Sequence, residues 1–278
     1  MIRRDRGGPD RRPSFDRHSD RNIASRYNHL PEMFDGVLFD LGDTLVHFET
    51  WRPRRFLQAG TRPAYDRLCE WGFSPPAFPR YSRAIRRSFI RSFLWSRLRR
   101  REVQLAEIFH RKHLAMGLPV DQEHMTDLIG RCISPFRELF EADPDAVPML
   151  SDLHAAGLKL GVVSNTMFPS CAIDDVLRHD GLLEWLPERV YSSDVGYMKP
   201  HRRIFEIALE RTGLRAERTL FVGDRIRKDV RGAARVGMKT ALMCHKEGVP
   251  RGRPRPDYVI HRLSELPAIV ARGQVVQA

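Results

Sequence analysis

The stretch G-V-L-F-D-L-G-D-T-L, residues 36–45, decides how the rest of the chain is read. A short apolar run ends at Asp40 and gives way to Gly42, as a buried β-strand does when it leaves its sheet through a turn. The same texture returns after residue 157. The runs L-K-L-G-V-V-S-N (158–165), R-V-Y-S-S-D (189–194), T-L-F-V-G-D (219–224), K-T-A-L-M (239–243) and D-Y-V-I (257–260) predict further short strands. Residues 147–156, 201–211 and 227–236 carry apolar side chains at three and four spacing, which predicts helices between them. Strands alternating with helices in this way predict an α/β fold built on a parallel sheet.

Residues 50–140 break the pattern. They lack such strands and show helical periodicity, clearest in Tyr81, Ile85, Phe89 and Phe93, with Ile90 and Leu94 beside them. The expected organisation is therefore an α/β core over 33–49 and 141–278, with an all-helical insert at 50–140. Residues 1–32 hold eight Arg and almost no apolar residue before Ile23, so they cannot offset their ordering entropy and are expected to be a disordered basic tail. The tail lacks the apolar region of a signal peptide, and its four Asp argue against a transit peptide.

The 278 residues are 42% hydrophobic and 29% charged, within the globular range, and no apolar run approaches the ~20 residues of a membrane helix. A soluble protein without a membrane partner is expected. Its four Cys form no C-x-x-C pair, which suits a reducing cytoplasm. The net charge is +12, and +10 of it falls in residues 50–140, where Arg crowds positions 83–101. That face either draws an anionic substrate or RNA, or is the solvated side of an amphipathic helix; the second reading is the simpler. Only six of the 47 basic residues are Lys; Arg forks suit phosphate and nucleic acid, but an Arg excess spread over every segment is more simply a codon bias.

In an open parallel sheet, ligands bind outside the carboxyl ends of the strands. Asp40 ends the first strand, Ser164 and Asn165 the second, Lys199 follows the third, and Gly223-Asp224 end the fourth, with Asp229 five residues on. Carboxylates, a hydroxyl and a lone Lys in one crevice suit Mg²⁺ and a phosphate. Taken singly, each has a plainer role: Asp40 as a turn residue, Ser164 or Asn165 as a helix cap, Lys199 and Asp229 as solvated side chains.

Four motifs in order resemble those of the haloacid dehalogenase-like hydrolases. They are F-D-L-G-D-T-L, G-V-V-S-N, S-D-V-G-Y-M-K-P and V-G-D-R-I-R-K-D-V-R-G-A-A-R-V-G-M, within a match from about residue 33 to 270. The resemblance implies a Rossmann-like core with a helical cap inserted after the first strand. It implies a Mg²⁺-dependent phosphatase of a small phosphorylated metabolite, in which Asp40 forms an aspartyl-phosphate. Asp40, the Gly42 carbonyl and Asp224 would hold the metal and Asp229 would support them. Ser164, Asn165 and Lys199 would contact the phosphoryl group.

One departure stands out. Hydrolytic members of that family usually place a second Asp, the general acid/base, where this chain has Gly42. Loss of such a group typically costs ~10²–10⁴ in rate and least for activated leaving groups. Asp43 is next along and could be swung in by the Gly turn as a substitute, although successive residues of extended chain face opposite ways. The alternative function is a catalytically impaired relative that binds RNA or another polyanion. A phosphonate-cleaving role is disfavoured because no Lys precedes Lys112, and the pair Asp224 and Asp229 points away from dehalogenation.

Overall fold

The computed structural model describes residues 34–48, 53–99, 104–134, 140–245 and 254–272. The tail expected at 1–32 lies outside them. Among the described residues the first element is β1 (Gly36–Phe39), buried throughout, followed by the short β2 (Val46–Phe48). Four helices follow: α1 (Pro53–Glu70), α2 (Phe78–Arg99), α3 (Leu105–Leu114) and α4 (Gln122–Ile133). After β3 (Phe140–Ala142) come α5 (Ala146–Ala155), β4 (Lys159–Ser164), α6 (Ser170–His179) and β5 (Glu188–Tyr191). The chain continues with α7 (Arg202–Thr212), β6 (Thr219–Gly223), β7 (Lys239–Met243) and β8 (Tyr258–Ile260).

Six strands form one parallel sheet in the order β5-β4-β1-β6-β7-β8. Successive residues of β1 feed opposite faces, as the pleat requires: Val37 and Phe39 join one apolar cluster, and Leu38 joins another with Phe205 and Phe221. Burial on both faces is why these strands read as unbroken apolar runs. Because β1 lies between β4 and β6, strand order reverses at its carboxyl end, and a crevice opens there.

The expected core strands are all present, with two local differences. The strand anticipated over 189–194 stops at Tyr191, and Ser192–Val195 is a helical turn closed by Gly196 at φ 74°. The helix anticipated over 227–236 divides into a π-helical turn, Ile226–Val230, and Arg231–Ala234.

The insert also departs from an all-helical reading at its edge. Phe140 begins β3, which pairs antiparallel with β2 (Val46↔Ala142, Phe48↔Phe140), so a small ribbon joins the two ends of the helical segment. Strands of three residues are too short to show a period. Within the helices Tyr81, Ile85 and Phe89 are buried as expected, but Ile90 is 42% exposed, one helical step off that face. The side chains of Phe93, Leu94, Trp95 and Arg97 and residues 100–103 lie outside the description. Gly60 lets α1 approach α4 closely, since a Cβ there would overlap the Cys132 carbonyl.

A neutral polar pair is sealed inside the helices. His113 Nδ1 lies 2.6 Å from the Phe109 carbonyl, which only accepts, so Nδ1 carries the proton and Nε2 accepts from the Tyr81 hydroxyl at 3.0 Å. Burial holds the His113 pKa below its ordinary value. The insert leans on the core: Leu105 N donates to Met167 O (3.1 Å), Gln104 Nε2 to Ser193 O (3.0 Å), and one apolar cluster runs through both parts. Among the described residues no helix is long and apolar enough to cross a membrane.

Candidate active site

Asp40 directly follows β1, and its N–H donates to Val222 O (2.8 Å), extending the β1–β6 ladder by one residue. That bond fixes the backbone beneath the side chain. Asp40 Oδ1 accepts from Leu41 N (2.7 Å) and lies 2.8 Å from Lys199 Nζ. The same Nζ is 2.7 Å from Asp229 Oδ1. Neither contact has hydrogen-bond alignment, so charge holds this cluster together. Lys199 is 2% exposed and Asp229 is fully buried, which excludes the solvated roles open to each in the sequence.

Asp229 reaches this position because of two local features. The π-helical turn brings it back beneath the end of β6, where Arg225 N donates to its Oδ2 at 2.9 Å. Gly223 leaves the space: a Cβ there would lie 2.6 Å from the Asp229 carboxyl carbon. Lys199 is placed by Asn165, whose Oδ1 accepts from Lys199 N (2.7 Å) and whose Nδ2 donates to Lys199 O (3.0 Å). Asn165 thus clamps the main chain of Lys199 by both ends of its amide.

The electrostatics are unbalanced toward negative charge. Burial opposes the Lys199 ammonium, but Asp229 and Asp40 outweigh it and raise its pKa. Burial raises Asp229 despite the attraction of Lys199. Asp224 is pushed up to about 7, by burial first and by Asp40 next. Asp40, Asp224 and Asp229 each offer an oxygen within 4.8 Å of the others. Three crowded carboxylates with a single buried ammonium, and oxygen as the only donor, fit a hard divalent cation such as Mg²⁺.

These groups face a cavity of about 490 Å³, whose wall includes Asp40, Gly42, Ser164, Asn165, Lys199 and Asp224. Asp229 sits behind the wall. The cavity also meets residues that the sequence did not single out: Phe140, Met167, Phe168, Ile173, Arg225 and Lys228. Arg225 had a signal, since it directly follows Asp224. Phe140 had none, because its place depends on the ribbon. Among the described residues none of α1–α4 lines this cavity, and Arg80, Arg83 and Arg87 of α2 line a separate one.

Asp43 corrects the extended-chain argument. It adopts φ 55° in a turn, so alternation does not apply, and it lines the same cavity. Its Oδ2 accepts from Arg225 Nη2 (3.2 Å), while Arg225 Nε lies 2.6 Å from Asp224 Oδ2. His245 Nε2 donates to the Asp43 carbonyl at 2.7 Å and steadies the turn.

Residues 34–237 match the family model of haloacid dehalogenase-like hydrolases. The chain belongs to that family. A glyceraldehyde 3-phosphate phosphatase of Methanocaldococcus jannaschii is 34% identical over 128 residues, 46% of this chain and 55% of that protein. The chain spans about half the length of the curated relatives it matches. Two solved structures share the fold at 24% identity, each covering 87% of this chain and 100% of its own: a phosphatase of this family from Thermococcus onnurineus (TM-score 0.56) and a 2-haloacid dehalogenase from Pseudomonas syringae pv. Tomato DC3000 (TM-score 0.59). The fold therefore accommodates both chemistries, and the choice between them falls to the site.

Proposed function

We propose that this hydrolase is a Mg²⁺-dependent phosphatase of a small phosphorylated metabolite. The observation that carries the reading is the Asp40–Lys199–Asp229 cluster with Asp224, whose surplus of buried carboxylates calls for a metal beside a cavity of ligand size. The relatives named as phosphatases support it.

Asp40 is the nucleophile. Its Oδ1 is held by Leu41 N and Lys199, and its carboxylate attacks phosphorus in line to give an aspartyl-phosphate. Lys199 neutralises charge growing on the phosphoryl oxygens, and Ser164, in the same wall, donates to one of them. Asn165 keeps Lys199 in place for that task. Asp40, Asp224 and the Gly42 carbonyl would hold Mg²⁺, with Asp229 in support. When bound, the ion supplies positive charge to the transferring phosphoryl group. Residues 50–140 serve as the cap of a core formed by 33–49 and 141–278. Four free cysteines agree with a cytoplasmic setting.

The test is hydrolysis of 4-nitrophenyl phosphate by the full chain, with and without Mg²⁺, beside Asp40→Asn. Metal-dependent turnover that disappears in Asp40→Asn is expected. Turnover equal in the two proteins would overturn the assignment.

A further inference from the structure

The cavity has two unlike sides, and the strand order separates them. Met167, Phe168 and Ile173 follow β4, while Arg225 and Lys228 follow β6; Asp40 lies between, at the end of β1. Phe140 adds a second aromatic ring to the apolar residues of the wall. At about 490 Å³ the cavity falls in the range of organic-ligand sites and exceeds what a phosphate alone fills.

The carboxylates of the same wall are already engaged. Asp40 is paired with Lys199, and Asp43 and Asp224 with the two nitrogens of Arg225. No His, Cys, Tyr or Glu lines the cavity among the described residues, and position 42, beside the nucleophile, has no side chain. Among the described residues the wall therefore offers no uncommitted carboxylic acid or imidazole to protonate a departing oxygen. A leaving group that departs readily as an anion needs no such donor.

We infer that the substrate is a phosphate monoester of an acidic hydroxyl, a phenol or an enol, carried on an apolar or aromatic body that packs on Met167, Phe168 and Phe140. This rests on the phosphatase reading and narrows it. In the first step an Asp40 oxygen bonds to phosphorus, the P–O ester bond breaks, and its electron pair leaves on the phenolate or enolate oxygen without a proton. In the second step water bonds to phosphorus, the P–O bond to Asp40 breaks, and the carboxylate recovers its electron pair. The water's proton stays with inorganic phosphate or passes to solvent. The ammonium of Lys228, at the exposed rim opposite the apolar side, is available to the departing anion.

The test uses the full chain with Mg²⁺. Substituted phenyl phosphates of graded phenol acidity are compared with 2-phenylethyl phosphate, which keeps the ring but has an alkyl leaving group, and with glycerol 3-phosphate. The expected result is that kcat/KM falls with decreasing phenol acidity and is lower by ~10²-fold or more for both alkyl esters. Binding is read separately: phenylphosphonate should bind at least ~10-fold tighter than methylphosphonate, and Met167→Gln should erode that preference while leaving the Kd of inorganic phosphate in place. Alkyl and aryl esters hydrolysed alike, or equal binding of the two phosphonates, would overturn the inference while Asp40-dependent turnover left the phosphatase reading standing. No Asp40-dependent turnover of any ester would overturn both.

Discussion

Two buried polar clusters in this molecule have opposite characters. In the helical insert, Tyr81, His113 and the Phe109 carbonyl satisfy one another without formal charge. In the core, one ammonium faces Asp40 and Asp229 with Asp224 close by, so charge remains unbalanced beside an open cavity. A closed neutral cluster is complete in the folded chain and serves the packing. A charged cluster with an excess of one sign is complete only when something binds, and that contrast separates the site from the scaffold.

The largest expected effect comes from breaking the charged cluster. Lys199→Met leaves two buried carboxylates without their cation and should destabilise the metal-free protein by about 3–5 kcal/mol. Denaturant unfolding measures that loss, and Mg²⁺ should then raise the melting temperature more in Lys199→Met than in wild type. Equal stabilisation would separate Lys199 from the metal site.

Breaking the neutral cluster should cost less and leave the chemistry intact. His113→Leu strands the Tyr81 hydroxyl and should lower stability by about 1–3 kcal/mol, with kcat/KM on 4-nitrophenyl phosphate unchanged below the melting range. A fall in kcat/KM matching that of a site variant would show that the two clusters are not independent.

Asn165→Ala removes both hydrogen bonds to the Lys199 main chain, for a stability loss of about 1–2 kcal/mol. The informative readout is kinetic: kcat should fall more than KM rises, because Lys199 acts on charge that develops in the transition state. Asn165→Asp restores the acceptor for Lys199 N but not the donor to its carbonyl, and should recover only part of kcat.

The smallest effect is set by pH. His113 has its pKa held below the ordinary 6.5, so the unfolded chain takes up a proton before the folded one does. Its contribution is whole above about pH 6.5 and is lost as pH falls from there through the depressed folded value. Stability measured from pH 7 to pH 5 should therefore decline more steeply for wild type than for His113→Leu. Parallel slopes would remove His113 from the account.

Much of this was legible in the chain itself. β7 runs from Lys239 to Met243, as read from sequence, and the other core strands lie within a residue or two of their runs, apart from the helical turn at 192–195. Asp40, Ser164 and Asp224 were accessible for the same reason: strand ends mark the crevice, and strands of a buried parallel sheet are apolar runs. The ribbon of β2 and β3 was not, since its two strands are three residues each and nearly a hundred residues apart.

What the sequence determined by itself is the alternation of elements, the family resemblance and the residue types at the strand ends, because these are local signals. The tertiary structure alone decided that Asp229 is buried against Lys199 and that the Asn165 amide serves a backbone 34 residues away. It also decided that Asp43 shares the cavity and that Arg225 reaches it across 182 residues. Contacts between distant segments leave no period in the chain, and burial, which turns a surface Asp into a member of a charged cluster, exists only once those segments have packed.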